Sequence, residues 1–203
     1  MSGPEFAILF VCTGNVCRSP FAAALTRHLL DDAMPPGDAT RIAIASAGTS
    51  PPVGAGIHPA TRAELAGWGV TGPAVDGHYA CQVDAALLSK ADLVLTAERL
   101  HRAHVVQVYP EALRTTYCLR EFHRLLSTVD HLTPADPVAR LHAAVAEVAA
   151  RRGTIPPVPP DQDAVPDPYS GPPAAHHHSA TMLGGLLGDI VARVFFPARQ
   201  PCV

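Results

Sequence analysis

No run of lysines or arginines occurs in this chain, and its formal net charge is −3 at pH 7. A nucleic-acid partner, which needs a concentrated positive face, is therefore not expected. Nowhere do 18 apolar residues follow one another without interruption, which argues against a membrane span. The start, Met1-Ser2-Gly3-Pro4-Glu5, lacks the basic stretch of a secretion signal, and the apolar run behind it is too short for one. Cysteine is scarce and odd in number: five residues, at 12, 17, 81, 118 and 202. Their spacings fit neither a disulfide framework nor a zinc pattern. These absences together imply a reduced, cytoplasmic protein. No internal repeat is visible. At 203 residues the chain is long enough for one good core and short for two, so a single domain over 1–203 is expected.

What the chain does have is strands alternating with helices. Phe6–Val11 is an unbroken apolar run, as in a parallel strand covered on both faces. Ser19 to about Asp32 has Phe21, Leu25 and Leu29 at helical spacing and stops at Pro35-Pro36-Gly37. Further strands are expected at Arg41–Ala47, Asp92–Thr96 and Thr115–Leu119, with helices at His58–Trp68, Val83–Ser89 and Glu98–Gln107. This order predicts an α/β fold of three layers, a four-stranded, mostly parallel twisted sheet with helices on both faces. Beyond it come a helix at Arg120–Leu126, an Ala-rich helix at Pro137–Arg152, and an extended stretch from Gly153 to Pro173 with eight prolines. An apolar helix, Thr181–Phe196, closes the pattern.

The most informative segment follows the first strand: Val11-Cys12-Thr13-Gly14-Asn15-Val16-Cys17-Arg18-Ser19-Pro20. A strand delivers the chain to a tight loop, and Ser19-Pro20 opens a helix, where proline costs nothing. Successive loop N–H groups and the positive helix end converge on one spot that suits an oxyanion. A thiol at such a mouth is pushed toward thiolate, and the planar fork of Arg18 can clamp two phosphate oxygens. Asn15 tolerates a left-handed backbone if the loop requires one.

The loop Cys12–Ser19, taken with Asp167-Pro168-Tyr169 far downstream, resembles the low-molecular-weight protein tyrosine phosphatases. Ser46-Ala47-Gly48-Thr49 is similar to the family's Ser-Ala-Gly-Thr, and Gly77-His78-Tyr79-Ala80-Cys81-Gln82 resembles its His-x-Ala-Arg-Gln segment, with Cys81 in place of the arginine. The resemblance covers about residues 5–120 and 164–195, and leaves 121–163 as an insertion of one helix and a Pro-rich arm. It implies a phosphomonoester hydrolase in which Cys12 attacks phosphorus to form a cysteinyl-phosphate. Arg18 and the N–H groups of the loop (Thr13, Gly14, Asn15, Val16, Cys17) then hold the equatorial oxygens. Asp167 acts as general acid and then base. Ser19 supports the thiolate, Asn15, Ser19, Ser46 and His78 knit the loop, and Tyr169 forms an aromatic wall. No metal or organic cofactor is implied. The expected partner is a phosphorylated protein or a phosphorylated small molecule.

Other readings share the fold. Thioredoxin-coupled arsenate reductases are similar in the loop but need relay cysteines beyond the third strand, where this chain reads Leu95-Thr96-Ala97-Glu98-Arg99-Leu100. Protein arginine phosphatases tend to carry threonine at the position of Val16, whose side chain lacks the hydroxyl. A phosphate-binding module without catalysis conflicts with the joint presence of Cys12, Arg18 and Asp167. A specialised metabolite phosphatase is the main alternative, because the 121–163 segment could cover the site as a lid. Cys17 is either a small buried hydrophobe or a partner for a protective disulfide with Cys12. Cys81, Cys118 and Cys202 carry no pattern. Trp68 is expected to close its helix against the core. His176-His177-His178 is read as a solvated loop bordering the site, because adjacent histidines do not converge on one helix face and no Cys or acidic cluster accompanies them in sequence.

Overall fold

The computed structural model describes residues 3–196, so Met1, Ser2 and Cys202 lie outside the described residues. Strand β1 (Phe6–Cys12) sends Phe6, Ile8 and Phe10 into one apolar cluster and Leu9 and Val11 into another. A strand buried on both faces has no solvent side to keep polar, hence its uninterrupted apolar run. β2 (Ile42–Gly48), β3 (Leu93–Thr96) and β4 (Thr116–Cys118) complete the sheet in the order β2-β1-β3-β4, every neighbouring pair parallel. The chain leaves β1 on one side to form β2, then crosses back to place β3 on the other. The carboxyl end of β1 is thus the topological switch point, where open α/β sheets bind ligands.

Ten α-helical segments occur among the described residues. They are α1 (Arg18–Ala33), α2 (Pro36–Ala39), α3 (Pro59–Gly67), α4 (Pro73–Asp76), α5 (Ala85–Leu88), α6 (Arg99–Val108), α7 (Leu119–Leu126), α8 (Pro137–Arg151), α9 (Pro160–Asp163) and α10 (Pro173–Phe195). Leu25 of α1, Phe122 of α7, Leu141 of α8 and Leu187 of α10 join Phe6, Ile8 and Phe10 in the larger cluster. Leu88 of α5 and Val105 of α6 cover Leu9 and Val11 on the opposite face. The three layers expected from the alternating pattern are therefore present. No described helix is long and apolar enough to cross a membrane.

Two expectations change here. The segment 121–163 is not a lid: α8 buries Val138, Leu141, Ala144 and Val148 in the main core. Its Arg140 donates to the carbonyls of Val194 and Phe195, closing the end of α10. Amphipathic spacing marked α8 as a helix but did not say which surface its apolar face would cover. The last helix also starts at Pro173 rather than Thr181, so His176–His178 lie on its first turns, not in a solvated loop. Proline at the first helical position is pre-set for that start. Gly184, within this helix, is needed for packing rather than for conformation. A Cβ there would overlap the Trp68 ring, which packs against the helix at that point.

Candidate active site

The loop after β1 is held open by its carbonyls. Those of Cys12 and Thr13 accept from the N–H groups of Thr49 and Ser50, that of Val16 from His58 N–H, and that of Cys17 from Phe21 N–H. His78 Nε2 donates to the Asn15 carbonyl at 2.8 Å. In a trans peptide the next N–H points the opposite way, so the amides of Thr13, Gly14, Val16, Cys17 and Arg18 turn inward. Asn15 has φ +51°, a left-handed conformation that asparagine tolerates best after glycine. Gly48 makes the close approach possible, since a Cβ there would meet the Thr13 carbonyl oxygen at 2.5 Å.

The Asn15 side chain is fully buried and knits the loop to its surroundings. Its amide nitrogen donates to Ser19 Oγ at 3.0 Å and to Ser46 Oγ at 2.8 Å, and its Oδ1 accepts from the Cys81 N–H at 3.0 Å. Ser19 Oγ lies 3.0 Å from Cys12 Sγ. The structure thus brings Asn15, Ser19, Ser46 and His78 together around the loop. Sequence reasoning missed Cys81, whose backbone N–H holds Asn15 and whose thiol donates to the Ser46 carbonyl at 3.4 Å.

Arg18 is buried at the head of α1 and reaches across the loop. Its Nη1 donates to the Val165 carbonyl at 3.2 Å, and its Nη2 to Thr13 Oγ1 at 3.3 Å and Asp167 Oδ2 at 2.7 Å. Asp167 is half-exposed, and its Oδ1 accepts from the Tyr169 N–H at 3.2 Å, a turn that fixes the Asp-Pro-Tyr segment. Val165 N–H bonds to Ala97 O at the end of β3. Two residues earlier Asp163 is buried, paired with Arg99 of α6 at 2.5 Å and Arg124 of α7 at 2.8 Å. The Pro-rich arm thus anchors the segment carrying Asp167 from behind. Thr13 Oγ1 is also 2.8 Å from His101 Nε2. Burial, reinforced by the nearby Arg18 charge, pushes the His101 pKa down to about 4, so this imidazole is neutral at physiological pH.

Cys12, Thr13, Gly14, Val16, Cys17, Arg18, Ser50, Pro52, Asp167 and Tyr169 line a pocket of about 300 Å³. No residue of 121–163 is among them. Tyr169 is exposed on one wall, its ring edge-on to His58 with centroids 6.0 Å apart. His58 caps the start of α3, its Nδ1 accepting from Ala60 N–H, and stacks on His176 with centroids 4.6 Å apart and planes 14° from parallel. His176 is buried and its Nδ1 is 2.9 Å from Thr61 Oγ1. Cys12, Cys17, Cys81 and Cys118 are free thiols. Burial pushes the pKa of the Cys17 thiol up to about 11, a rise that Thr61 partly offsets. Such a thiol is a poor attacker of an oxidised Cys12.

A family model described as low molecular weight phosphotyrosine protein phosphatase matches residues 7–151, running past residue 120 to the end of α8. The low molecular weight protein-tyrosine-phosphatase Wzb of Salmonella typhi is 35% identical over 104 residues, 51% of this chain. That match spans 62% of the relative's own length, less than two thirds. The protein-arginine-phosphatase of Geobacillus stearothermophilus is 32% identical over 117 residues, 58% of this chain and 71% of that protein. Among solved structures, the YwlE arginine phosphatase from Geobacillus stearothermophilus superposes with a TM-score of 0.62 at 25% identity, covering 92% of this chain and 90% of the other. Vibrio vulnificus Wzb in complex with benzylphosphonate superposes with a TM-score of 0.63 at 22% identity, covering 92% of this chain and 97% of the other, a likeness of fold. The nucleophile loop lies inside the matched region, and the chain belongs to the low molecular weight phosphotyrosine protein phosphatase family.

Proposed function

We propose that this chain hydrolyses phosphomonoesters, in the manner of a protein tyrosine phosphatase, through a cysteinyl-phosphate. The observation that carries this reading is the convergence of Cys12 Sγ, the inward loop amides, Arg18 and Asp167 on one pocket. In the first step the Cys12 thiolate forms the S–P bond as the ester P–O bond breaks, and Asp167 gives its proton to the leaving oxygen. The loop amides and Arg18 hold the three equatorial oxygens as charge gathers on them. In the second step the Asp167 carboxylate takes a proton from water, whose oxygen displaces the thiolate. Ser19, 3.0 Å from the sulfur, stabilises that departing thiolate, and inorganic phosphate is released.

Tyr169, exposed on the pocket wall, suits a flat aryl ester. Val16 lines the pocket without a hydroxyl, which favours an aryl or alkyl ester over phosphoarginine, although a relative named as an arginine phosphatase is among those matched. Because 121–163 does not reach the pocket, the lid argument for a small metabolite substrate loses its support, and a phosphoprotein is the favoured partner. A reducing, cytoplasmic setting suits a nucleophile that must stay a thiol. Hydrolysis of para-nitrophenyl phosphate under reducing conditions, abolished by Cys12→Ser, is the expected result. An inactive wild type would overturn the reading. Comparing phosphotyrosine with phosphoarginine peptides then decides the substrate class.

A further inference from the structure

Next to the phosphate loop three residues from distant parts of the chain meet. Cys17 ends the loop, His58 caps α3, and His176 lies on the first turn of α10. Their ligand atoms all lie within 4.8 Å of one another. A tetrahedral zinc ion, with Zn–S about 2.3 Å and Zn–N about 2.0–2.1 Å, requires ligand separations of roughly 3.3–3.6 Å. Closing the cluster around such an ion takes movements of about 1 Å at the ligand atoms, and the His58 ring must also turn out of its stack on His176, because the lone pairs of parallel stacked rings do not converge.

A second observation points to the same place. His176 is buried, its Nδ1 is bonded to Thr61, and its Nε2 has no hydrogen-bond partner. A buried polar atom left unpaired in a native structure calls for an explanation, and an ion is one of the few that suffice. Thr61 would then act as the outer partner that orients a metal-bound imidazole. We propose that Cys17, His58 and His176 form a zinc site beside the phosphate loop, with the fourth position open to water. One thiolate and two imidazoles suit zinc better than the hard cations magnesium or calcium, which take oxygen ligands. Both histidines bind as neutral imidazoles, and His58 gives up the 3.3 Å bond that its Nδ1 accepts from the Ala60 N–H. Binding exchanges the Cys17 S–H proton, released to solvent, for a Zn–S bond, with no change of oxidation state. An occupied site would tie the loop, the start of α3 and the start of α10 together at one point.

The test uses the full chain carrying Cys12→Ser, which removes the nucleophile as a competing ligand and makes the outcome independent of hydrolysis. Cobalt(II) titration should give one thiolate-to-cobalt charge-transfer band per chain, displaced by one equivalent of zinc. Adding Cys17→Ala should abolish the band, and adding His176→Gln should weaken metal binding at least tenfold. Zinc should raise the melting temperature of the Cys12→Ser protein, and raise it less once His176→Gln is added. Should His176→Gln fail to fold, His58→Gln, at a partly exposed position, should show the same loss. No saturable binding, or binding that survives Cys17→Ala or the histidine variant unchanged, overturns the proposal.

Discussion

Replacing Asn15 tests whether the loop's shape rests on one buried side chain. Alanine removes three hydrogen bonds, to Ser19, Ser46 and the Cys81 N–H. At about 1 kcal/mol net each, these come to about 3 kcal/mol. Alanine at φ +51° adds about 1 kcal/mol of left-handed strain, for a total near 4 kcal/mol. Glycine relieves the strain but frees the unfolded chain by about 0.5–1 kcal/mol. The two variants should therefore lie within about 1 kcal/mol of each other. Aspartate keeps the left-handed tolerance and the acceptor for Cys81 N–H, but it loses the two donated bonds and buries a charge beside Cys12, so it should cost more than the about 2 kcal/mol of those two bonds alone. Equilibrium urea unfolding measures all three, provided the slope with denaturant stays that of wild type. Against a total stability of about 5–15 kcal/mol these are large, readable changes. The reasoning fails if the alanine variant lies within about 1 kcal/mol of wild type. It fails equally if glycine restores full stability, since strain alone would then explain the site.

His101, its pKa pushed down to about 4 against an ordinary 6.5, should make stability depend on pH. Between those values the unfolded chain takes up a proton that the folded chain refuses. Stability should therefore fall as pH drops from about 6.5 to 4, by up to about 3 kcal/mol, and His101→Gln should flatten that part of a stability–pH curve. Gly184→Ala places a methyl group on the Trp68 ring and should cost about 1–3 kcal/mol; an unchanged melting temperature would show that the ring moves aside freely. Asp163→Ala strips the shared partner from Arg99 and Arg124, both partly solvated. It should cost about 2–3 kcal/mol and lower kcat through a loosened Asp167 segment, whereas a full-rate variant would deny that anchoring role.

Residues that act through their sequence neighbours were legible, and those that act across the fold were not. Cys12 to Ser19 form one local loop between a strand and a helix, so spacing alone conveys their geometry. Ser46 and His78 were found only because short motifs surround them. His101 gives no such signal: it lies in the first turn of α6, and its partner Thr13 is 88 positions away. His176 meets Thr61 across 115 positions, and nothing near either residue in sequence announces the other. The start of α10 was missed because histidine, serine and glycine form helix weakly, whereas packing of Ala180, Leu183 and Leu187 on the core secures it. The inward face of α8 was visible as an amphipathic pattern, but a pattern names a face without naming its partner.

On the proposed reading, the 2.7 Å contact between Arg18 and Asp167 sets a tethered carboxylate in competition with the substrate phosphate. A carboxylate tethered within the site already occupies the guanidinium that a phosphate must use. An incoming anion therefore binds with its intrinsic affinity reduced by the fraction of time Arg18 stands free. On the same reading the tether should speed the exit of inorganic phosphate, the carboxylate returning to Arg18 as the product leaves. Removing the charge with Asp167→Asn should consequently separate two quantities that usually move together. Turnover should fall with the loss of the acid, while vanadate and phosphate bind more tightly than to wild type. Titrating both proteins with vanadate reads the difference directly, and weaker binding to the variant would show that the carboxylate is a bystander rather than a rival.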